Sequence, residues 1–394
     1  PNTGYGHSMN VGLDRASGKY LAIVESDDFI APNMMEQLYQ EAEQTGADLV
    51  KSNCYFYLDT PKEEKQFVNI FDELPTREWI CPIKRPELFL KLQTIWSGLY
   101  RREFLVENQI RFHETPGASY QDVSFSFQVY ACATKVWLVP EAYYYYRTSN
   151  LNSSVKAPNK VFCICEELEK INQFIEERGK EEEVLKRIAS RLGYRVLLES
   201  YHGLASAFQY ALFLRMVEYL KSYQENGYLS DPIWDKKAIE EVEKIRKNPN
   251  QYFMETAKSF TDERIKEKNS PALNTKIYGK AVLKEVLESE KVVIYGAGKI
   301  GKEVMAYLIE KNYPKQNLCF AVTTKEGNPP NIEGIPVLEI GQCGEWKEAM
   351  VVVAVKEQSQ FEILQGLEHR GISKMVVVDP LVWQEIKENK ERER

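Results

Sequence analysis

Three carboxylates crowded onto the end of an apolar run constrain this chain more than any other feature. Residues 20–25, Tyr-Leu-Ala-Ile-Val-Glu, are short, apolar and partly β-branched, and Glu25-Ser26-Asp27-Asp28 follows without a break. A run of that length and content is expected to form a buried parallel strand. Ligands of open α/β sheets bind outside the carboxyl ends of the strands, which is where the cluster falls. Carboxylates this close repel one another and cost stability unless a cation sits among them. Oxygen ligands of this kind suit Mg²⁺ or Mn²⁺, which bridge protein carboxylates and substrate phosphates. The competing reading is a solvated acidic turn in which Asp27 or Asp28 caps the next helix. The four residues alone do not separate the two.

Downstream, the pattern alternates between strand-like and helical stretches. A helix over residues 34–45 follows Pro32 and stops at Gly46, and residues 47–56 read as a strand. Residues 59–80 are charged, carry Pro61 and Pro75, and read as a surface excursion. Helical spacing returns over 86–108, interrupted near Trp96-Ser97, and again over 121–133 with Val123, Phe127 and Tyr130 on one face. Residues 136–147 are strand-like, broken at Pro140, with the tyrosines 143–146 alternating faces. Residues 158–225 are strongly helical, and 232–270 are helical and so charged that an exposed position is expected. A second α/β unit begins near Glu288, with strands at 291–295, 318–322, 350–355 and 375–378 and helices at 302–311 and 358–369. Its order of elements predicts a half-Rossmann arrangement.

The chain has 394 residues, a net charge of −7, 43% hydrophobic and 28% charged residues. That balance is ordinary for a soluble globular protein, and it excludes a nucleic-acid partner, since no basic surplus exists to neutralise phosphates. Seven cysteines, at 54, 81, 132, 163, 165, 319 and 343, show neither CxxC pairing nor metal-ligand spacing. They read as reduced thiols of a cytoplasmic protein. No signal peptide and no transmembrane run is seen, which leaves a soluble protein or one peripherally associated with the inner face of the membrane.

Wider context decides the acidic cluster. The run Asn2-Thr3-Gly4-Tyr5-Gly6-His7-Ser8-Met9-Asn10-Val11-Gly12-Leu13, then Ala16-Ser17-Gly18-Lys19-Tyr20 and Glu25-Ser26-Asp27-Asp28, closely resembles glycosyltransferase family 2. The resemblance covers residues 1–156. It implies a GT-A nucleotide-sugar transferase domain in which Asp27 is the principal metal carboxylate and Glu25 and Asp28 complete the acidic cradle. Glu25 stands where most members have Asp, which places its carboxylate one methylene further out. Further on, Gln121-Asp122-Val123-Ser124-Phe125 resembles the family's E-D-x-x-F segment, with Gln121 in place of the usual Glu. Carried over, Asp122 is the catalytic base, which deprotonates the acceptor hydroxyl as it attacks the anomeric carbon opposite the leaving diphosphate. Asp122 also suits an N-cap of a helix beginning at Val123.

The same resemblance implies donor contacts from Gly6, Asn10 and Arg147, and an acceptor contact from Trp96, although a large aromatic at helical spacing is more often core. Tyr146-Arg147, with Ser154 beyond, resembles a segment closing over the donor, and Arg147 suits a bidentate diphosphate contact. His7 is expected to be an exposed loop histidine. Strands that carry the family's nucleotide-binding segments precede the matched region in family members and have no counterpart after Pro1. The chain is therefore expected to be N-terminally truncated, and by itself to have negligible transferase activity.

Gly296, Gly298 and Gly301 have dinucleotide-binding spacing between a strand and a helix. The second strand ends in Val322-Thr323-Thr324-Lys325, without an acid for a ribose hydroxyl, so an NAD-type cofactor and a purely packing role both stand. The expected organisation is α/β throughout: a transferase domain over 1–156, a helical region over 157–285 and a Rossmann-like domain over 286–394. The implied reaction is metal-dependent, inverting transfer from a nucleotide sugar to a saccharide or lipid-linked acceptor, in cell-surface polysaccharide synthesis. The competing functions are a sugar-nucleotide oxidoreductase or epimerase acting through the C-terminal domain, and a non-catalytic scaffold.

Overall fold

Two units divide the chain of the computed structural model, the first comprising Pro1–Val155, Cys163–Val196 and Gly227–Trp234, the second the remainder. Residues 4–58, 63–115, 117–148, 161–179, 182–204, 206–256, 277–343, 348–372 and 374–392 are described.

The first unit runs α1 (Tyr5–Arg15), β1 (Tyr20–Ala22), β2 (Phe29–Ile30), α2 (Met34–Thr45), β3 (Leu49–Leu58), β4 (Glu64–Val68), β5 (Trp79–Ile80), β6 (Gly98–Arg101), α3 (Arg102–Glu107), α4 (Gln121–Cys132), β7 (Val136–Arg147), α5 (Cys163–Arg178) and the start of α6 (Glu182–Gly203). Its sheet has the order β1-β6-β3-β7-β2, with β4 on β3 and β5 on β7. β3 is central because residues 49–54 are all buried, a run without alternation that suits a strand covered on both faces. α2 buries Met34, Leu38 and Ala42, spaced four apart, and ends at Gly46 with φ of 62°.

Several expectations change here. β1 is not a buried parallel strand: among the described residues it pairs only with β6, antiparallel, at one end of the sheet order, and none of its residues is buried. The stretch 59–80 holds two strands, because Phe67 and Lys65 lie against Tyr55 and Trp79 against Trp137 across the pairings. The helical spacing over 86–108 resolves into short 3₁₀ turns at Pro86–Leu90 and Ile95–Ser97, the strand β6 and the six-residue α3. Pro86 favours the tight first turn it occupies. α4 has no single apolar face, since every residue from Val123 to Cys132 is buried.

Pro140 does not end its strand. β7 pairs in parallel with β3 from Leu49↔Val136 to Tyr57↔Arg147, and the register skips at Asn53, from Ser52↔Val139 to Asn53↔Ala142. The Asn53 side chain occupies the skip: Nδ2 donates to the Pro140 carbonyl at 2.9 Å and Oδ1 accepts from Ile70 N at 2.8 Å. Proline lacks a ladder donor, and a bulge is where a sheet tolerates that.

The second unit takes up α6 and continues through α7 (Ser206–Glu225), α8 (Lys236–Lys247), α9 (Ile277–Glu288), β8 (Val292–Tyr295), α10 (Lys299–Glu310), β9 (Leu318–Val322), β10 (Asn331–Ile332), β11 (Ile335–Glu339), β12 (Met350–Val353), α11 (Glu357–Glu368), β13 (Met375–Val377) and α12 (Pro380–Arg392). Its sheet order is β10-β11-β9-β8-β12-β13, parallel except for the β10–β11 hairpin. Counted from β8, the five parallel strands lie 3-2-1-4-5, the order of a doubly wound sheet. β11 and β10 are additions to the four strands read from sequence; Pro336 and the exposed alternation of β11 hide its strand character. No helix among the described residues is long and apolar enough to cross a membrane.

The glycine turn follows β8. A Cβ on Gly301 would stand 1.9 Å from the Gly296 carbonyl oxygen, and one on Gly296, whose φ is 113°, would stand 2.7 Å from the Ala354 carbonyl oxygen. Gly298 faces open space. Close helix–strand packing thus accounts for two of the three glycines without a ligand. Gly301→Ala should lower unfolding free energy by about 1–3 kcal/mol, while Gly298→Ala should be near neutral; equal denaturation midpoints for the two variants would contradict this.

Candidate functional site

The acidic cluster is a turn held by the neighbouring strand. Asp28 N donates to the Glu25 carbonyl at 3.2 Å, and β2 then pairs antiparallel with Tyr144 and Tyr145 of β7. Tyr144, fully buried, accepts from Glu25 N at 3.1 Å and donates to Asp28 Oδ2 at 2.9 Å. Arg147 N donates to Asp28 Oδ1 at 2.8 Å, and Arg147 Nε donates to the Asp27 carbonyl at 2.8 Å. The Arg147 guanidinium lies over Phe29 and Tyr57, at 5.9 and 5.5 Å. Tyr5 of α1 closes the other side, its hydroxyl donating to Glu25 Oε1 at 2.5 Å. The capping alternative falls away, because α2 starts after Asn33 and neither Asp27 nor Asp28 caps it.

The three carboxylates are not equivalent. Burial raises the pKa of Glu25 and of Asp28, and the neighbouring charges add to the rise. Asp27 is the exposed member. Among the described residues no group of three or more His, Cys, Asp and Glu is arranged to hold an ion. Mg²⁺ commonly takes only one or two protein carboxylates and completes its shell with substrate phosphates and water. Exposed Asp27, backed by two carboxyls whose protons are held unusually tightly, fits that donor set.

Asp122 joins the same neighbourhood. It lies in the first turn of α4, whose N-cap is Tyr120 (φ 60°), so Asp122 is not the cap and the helix does not wait for Val123. Its pKa is pushed up to about 7, first by burial, then by the charge of Glu167, with Glu25 a smaller contributor, against backbone N–H bonds from residues 122 and 123. The Tyr146 phenol is also raised, by burial and then by Asp28, Asp27, Asp122 and Glu25 together. All four carboxylates thus act on one side chain.

The remaining sequence candidates each have a packing or hydrogen-bonding role in the fold. Asn10 is buried, and its amide clamps α1 to a distant segment: Nδ2 donates to Phe112 O at 3.0 Å and to Glu114 Oε1 at 2.9 Å, and Oδ1 accepts from Phe112 N at 2.9 Å. A Cβ on Gly6 would stand 1.9 Å from the His113 carbonyl, so the glycine permits that same close approach. His7, on α1 and not in a loop, meets Glu114 Oε2 at 2.9 Å. Trp96 is 8% exposed and stacks on Tyr144 and Tyr146, with ring centroids 4.2 and 5.4 Å away. Gln121 secures its own loop, Oε1 accepting from Ser119 N at 2.5 Å and Nε2 donating to Thr115 Oγ1 at 2.8 Å. Asn2, Thr3 and Ser154 lie outside the described residues.

Sequence reading gave no role to Tyr5, Tyr144 or Lys51, and placed Tyr146 only within a segment closing over the donor. The alternation over 143–146 does set Tyr144 and Tyr146 on one face, and that signal could have found them. Lys51 is 1% exposed on β3, donates from Nζ to the Thr94 carbonyl at 2.7 Å, and has its pKa lowered to about 7 by burial.

Residues 1–119 match the glycosyl transferase family 2 model. An uncharacterized glycosyltransferase, EpsJ of Bacillus subtilis, is 29% identical over 168 residues, 40% of this chain and 46% of EpsJ. The cholesterol galactosyltransferase of Borreliella burgdorferi is 26% identical over 176 residues, 40% of this chain and 46% of its own length. The succinoglycan biosynthesis protein ExoO of Rhizobium meliloti is 26% identical over 152 residues, 37% of this chain and 42% of ExoO. The chain thus spans less than half the length of these relatives.

Tyr144→Phe should cost about 1–3 kcal/mol of stability, since it strips a partner from both Glu25 N and Asp28; an unchanged denaturant midpoint would count against the clamp. Asp122 binds its proton more tightly folded than unfolded. Its contribution therefore favours folding below the ordinary aspartate value near 4 and is lost as pH rises through about 7. Across that window the parent protein should lose stability relative to Asp122→Asn, and parallel pH dependences of the two would refute the assignment.

Proposed function

We propose that the first unit transfers a glycosyl group, with inversion, from a nucleotide sugar to the hydroxyl of a saccharide or lipid-linked acceptor in cell-surface polysaccharide synthesis. The observation that carries this reading is the acidic turn of Glu25, Asp27 and Asp28, pinned by Tyr5, Tyr144 and Arg147 inside the stretch that matches the family 2 model, with the charges of these three and of Asp122, just beyond that stretch, all felt by Tyr146. A relative named for cholesterol galactosyl transfer supports a lipid acceptor, and one named for succinoglycan biosynthesis supports a polysaccharide.

Asp122 accepts the proton of the acceptor hydroxyl as its oxygen bonds to the anomeric carbon. The bond from that carbon to the diphosphate oxygen breaks on the opposite face, and its electron pair leaves with the nucleoside diphosphate. An aspartate whose pKa is about 7 keeps a proton acquired near neutral pH better than an ordinary one, and general bases work best near the operating pH. Arg147, set over Phe29 and Tyr57 beside the acidic turn, is a donor for the diphosphate. Asp27, with Glu25 and Asp28 behind it, would hold Mg²⁺ or Mn²⁺, which offsets charge on the departing diphosphate. Tyr5 and Tyr144 keep the carboxylates apart and pointed by taking up one oxygen of Glu25 and one of Asp28.

Nucleoside diphosphate release from a panel of nucleotide sugars, measured on the full-length protein with Mg²⁺ or Mn²⁺, tests the proposal. Release should require the metal, vanish in Asp27→Ala and fall by roughly 10²–10⁴-fold in Asp122→Asn. No release from any donor by the folded protein would favour a non-catalytic role.

A further inference from the structure

Glu167 lies on α5, in the first unit but beyond the family-matched residues, and is 1% exposed. A carboxylate buried to that degree persists only when its oxygens are paired. Both are: Oε2 accepts from the hydroxyl of Ser124, and Oε1 meets His113 Nδ1 at 3.0 Å. Ser124 is fully buried in the first turn of α4, two residues past Asp122. The glutamate is thus tied to the element that carries the proposed base, and nothing in the reaction above uses it.

We propose that Glu167 is a positioning residue for Asp122, pinning the first turn of α4 through Ser124 and placing a fixed negative charge behind the base. The inference rests on the reading of Asp122 as that base. An aspartate near its ordinary value is a poor proton acceptor at neutral pH, and a like charge held close strengthens it. Among the charges that raise Asp122, Glu167 exceeds Glu25 of the acidic turn. The other groups facing Asp122 are Tyr5 from α1, Lys51 from β3 and Tyr146 from β7. Lys51 pulls the opposite way, but it is itself destabilised as a cation by burial. Glu167 is faced by His113 from the segment before α4 and by Glu166 of its own helix. His113 also lines an open groove of about 520 Å³ with Arg111, Gln128 and Lys170, so one end of the pair is in reach of water.

Carboxyl-carbon NMR titration of the full-length protein tests this without any substrate. The resonance lost in Asp122→Asn belongs to Asp122, and in the parent it should titrate near pH 7. In Glu167→Gln its midpoint should fall by on the order of one pH unit. In Ser124→Ala, which keeps the charge, the midpoint should stay high while amide exchange in the first turn of α4 quickens. An unmoved midpoint in folded Glu167→Gln overturns the proposal. Should that variant fail to fold, Glu167→Met removes the same charge without burying an amide, and the same criterion applies. Diphosphate release keeps the two readings apart. Activity retained by Asp122→Asn defeats the base assignment, whereas an inactive Asp122→Asn together with a midpoint indifferent to Glu167 defeats this inference alone.

Discussion

One phenol hydroxyl organises the first unit's chemistry. Tyr144 accepts from the backbone of Glu25 and donates to the side chain of Asp28, so a single buried group fixes both ends of the acidic turn. Without it the turn would have to hold three like charges in place by its own backbone, against their repulsion. Tyr144 can do this only because β7 lies in parallel register with β3, its residue opposite Cys54, and because Trp96 covers its ring. The neighbouring Arg147 then reaches the turn from the same strand, with backbone and guanidine both engaged. Strand pairing thus determines the electrostatics of the site.

The electrostatic design is lopsided. Four carboxylates share the neighbourhood, and burial and mutual repulsion hold the protons of Glu25, Asp28 and Asp122 above the usual carboxylate range. A site in that condition favours cations and is costly without them, which is a preference expressed before any substrate arrives. Asp122 comes to this neighbourhood on α4, and after burial its largest influence is Glu167 of α5, with Glu25 of the turn a smaller one.

Much of this was legible in the residues. The acidic run, the helix carrying Asp122, the alternating tyrosines and the glycine turn are local patterns with local causes, and each element stands close to where the spacing puts it. What stayed hidden depends on partners far along the chain. The direction of β1 is decided by β6, nearly eighty residues on, and a three-residue strand cannot announce its neighbour. The roles of Asn10 and Gly6 are set by the approach of residues 112–114, which no spacing within α1 encodes. Glu167 reads as one acid among several on an amphipathic helix, and only the packing of α5 on α4 singles it out.

The skip at Pro140 gives β7 two independently phased halves. Before it, residues 136–139 run in step with 49–52 of β3; the register shifts on both sides of Asn53, which pairs with Ala142, and residues 144–147 then run in step with 54–57. Which tyrosines look toward the carboxylates is therefore settled by the number of residues spent in the bulge, since side chains alternate faces along a strand. Tyr144 and Tyr146 lie under Trp96, whereas Tyr145 stacks on Phe29 and Tyr55. Point changes in the core half of the strand leave that parity intact, while the gain or loss of one residue at the bulge reverses it. The parity of the site is consequently set by chain length at the middle of β7 and not by the identity of the side chains in its first half.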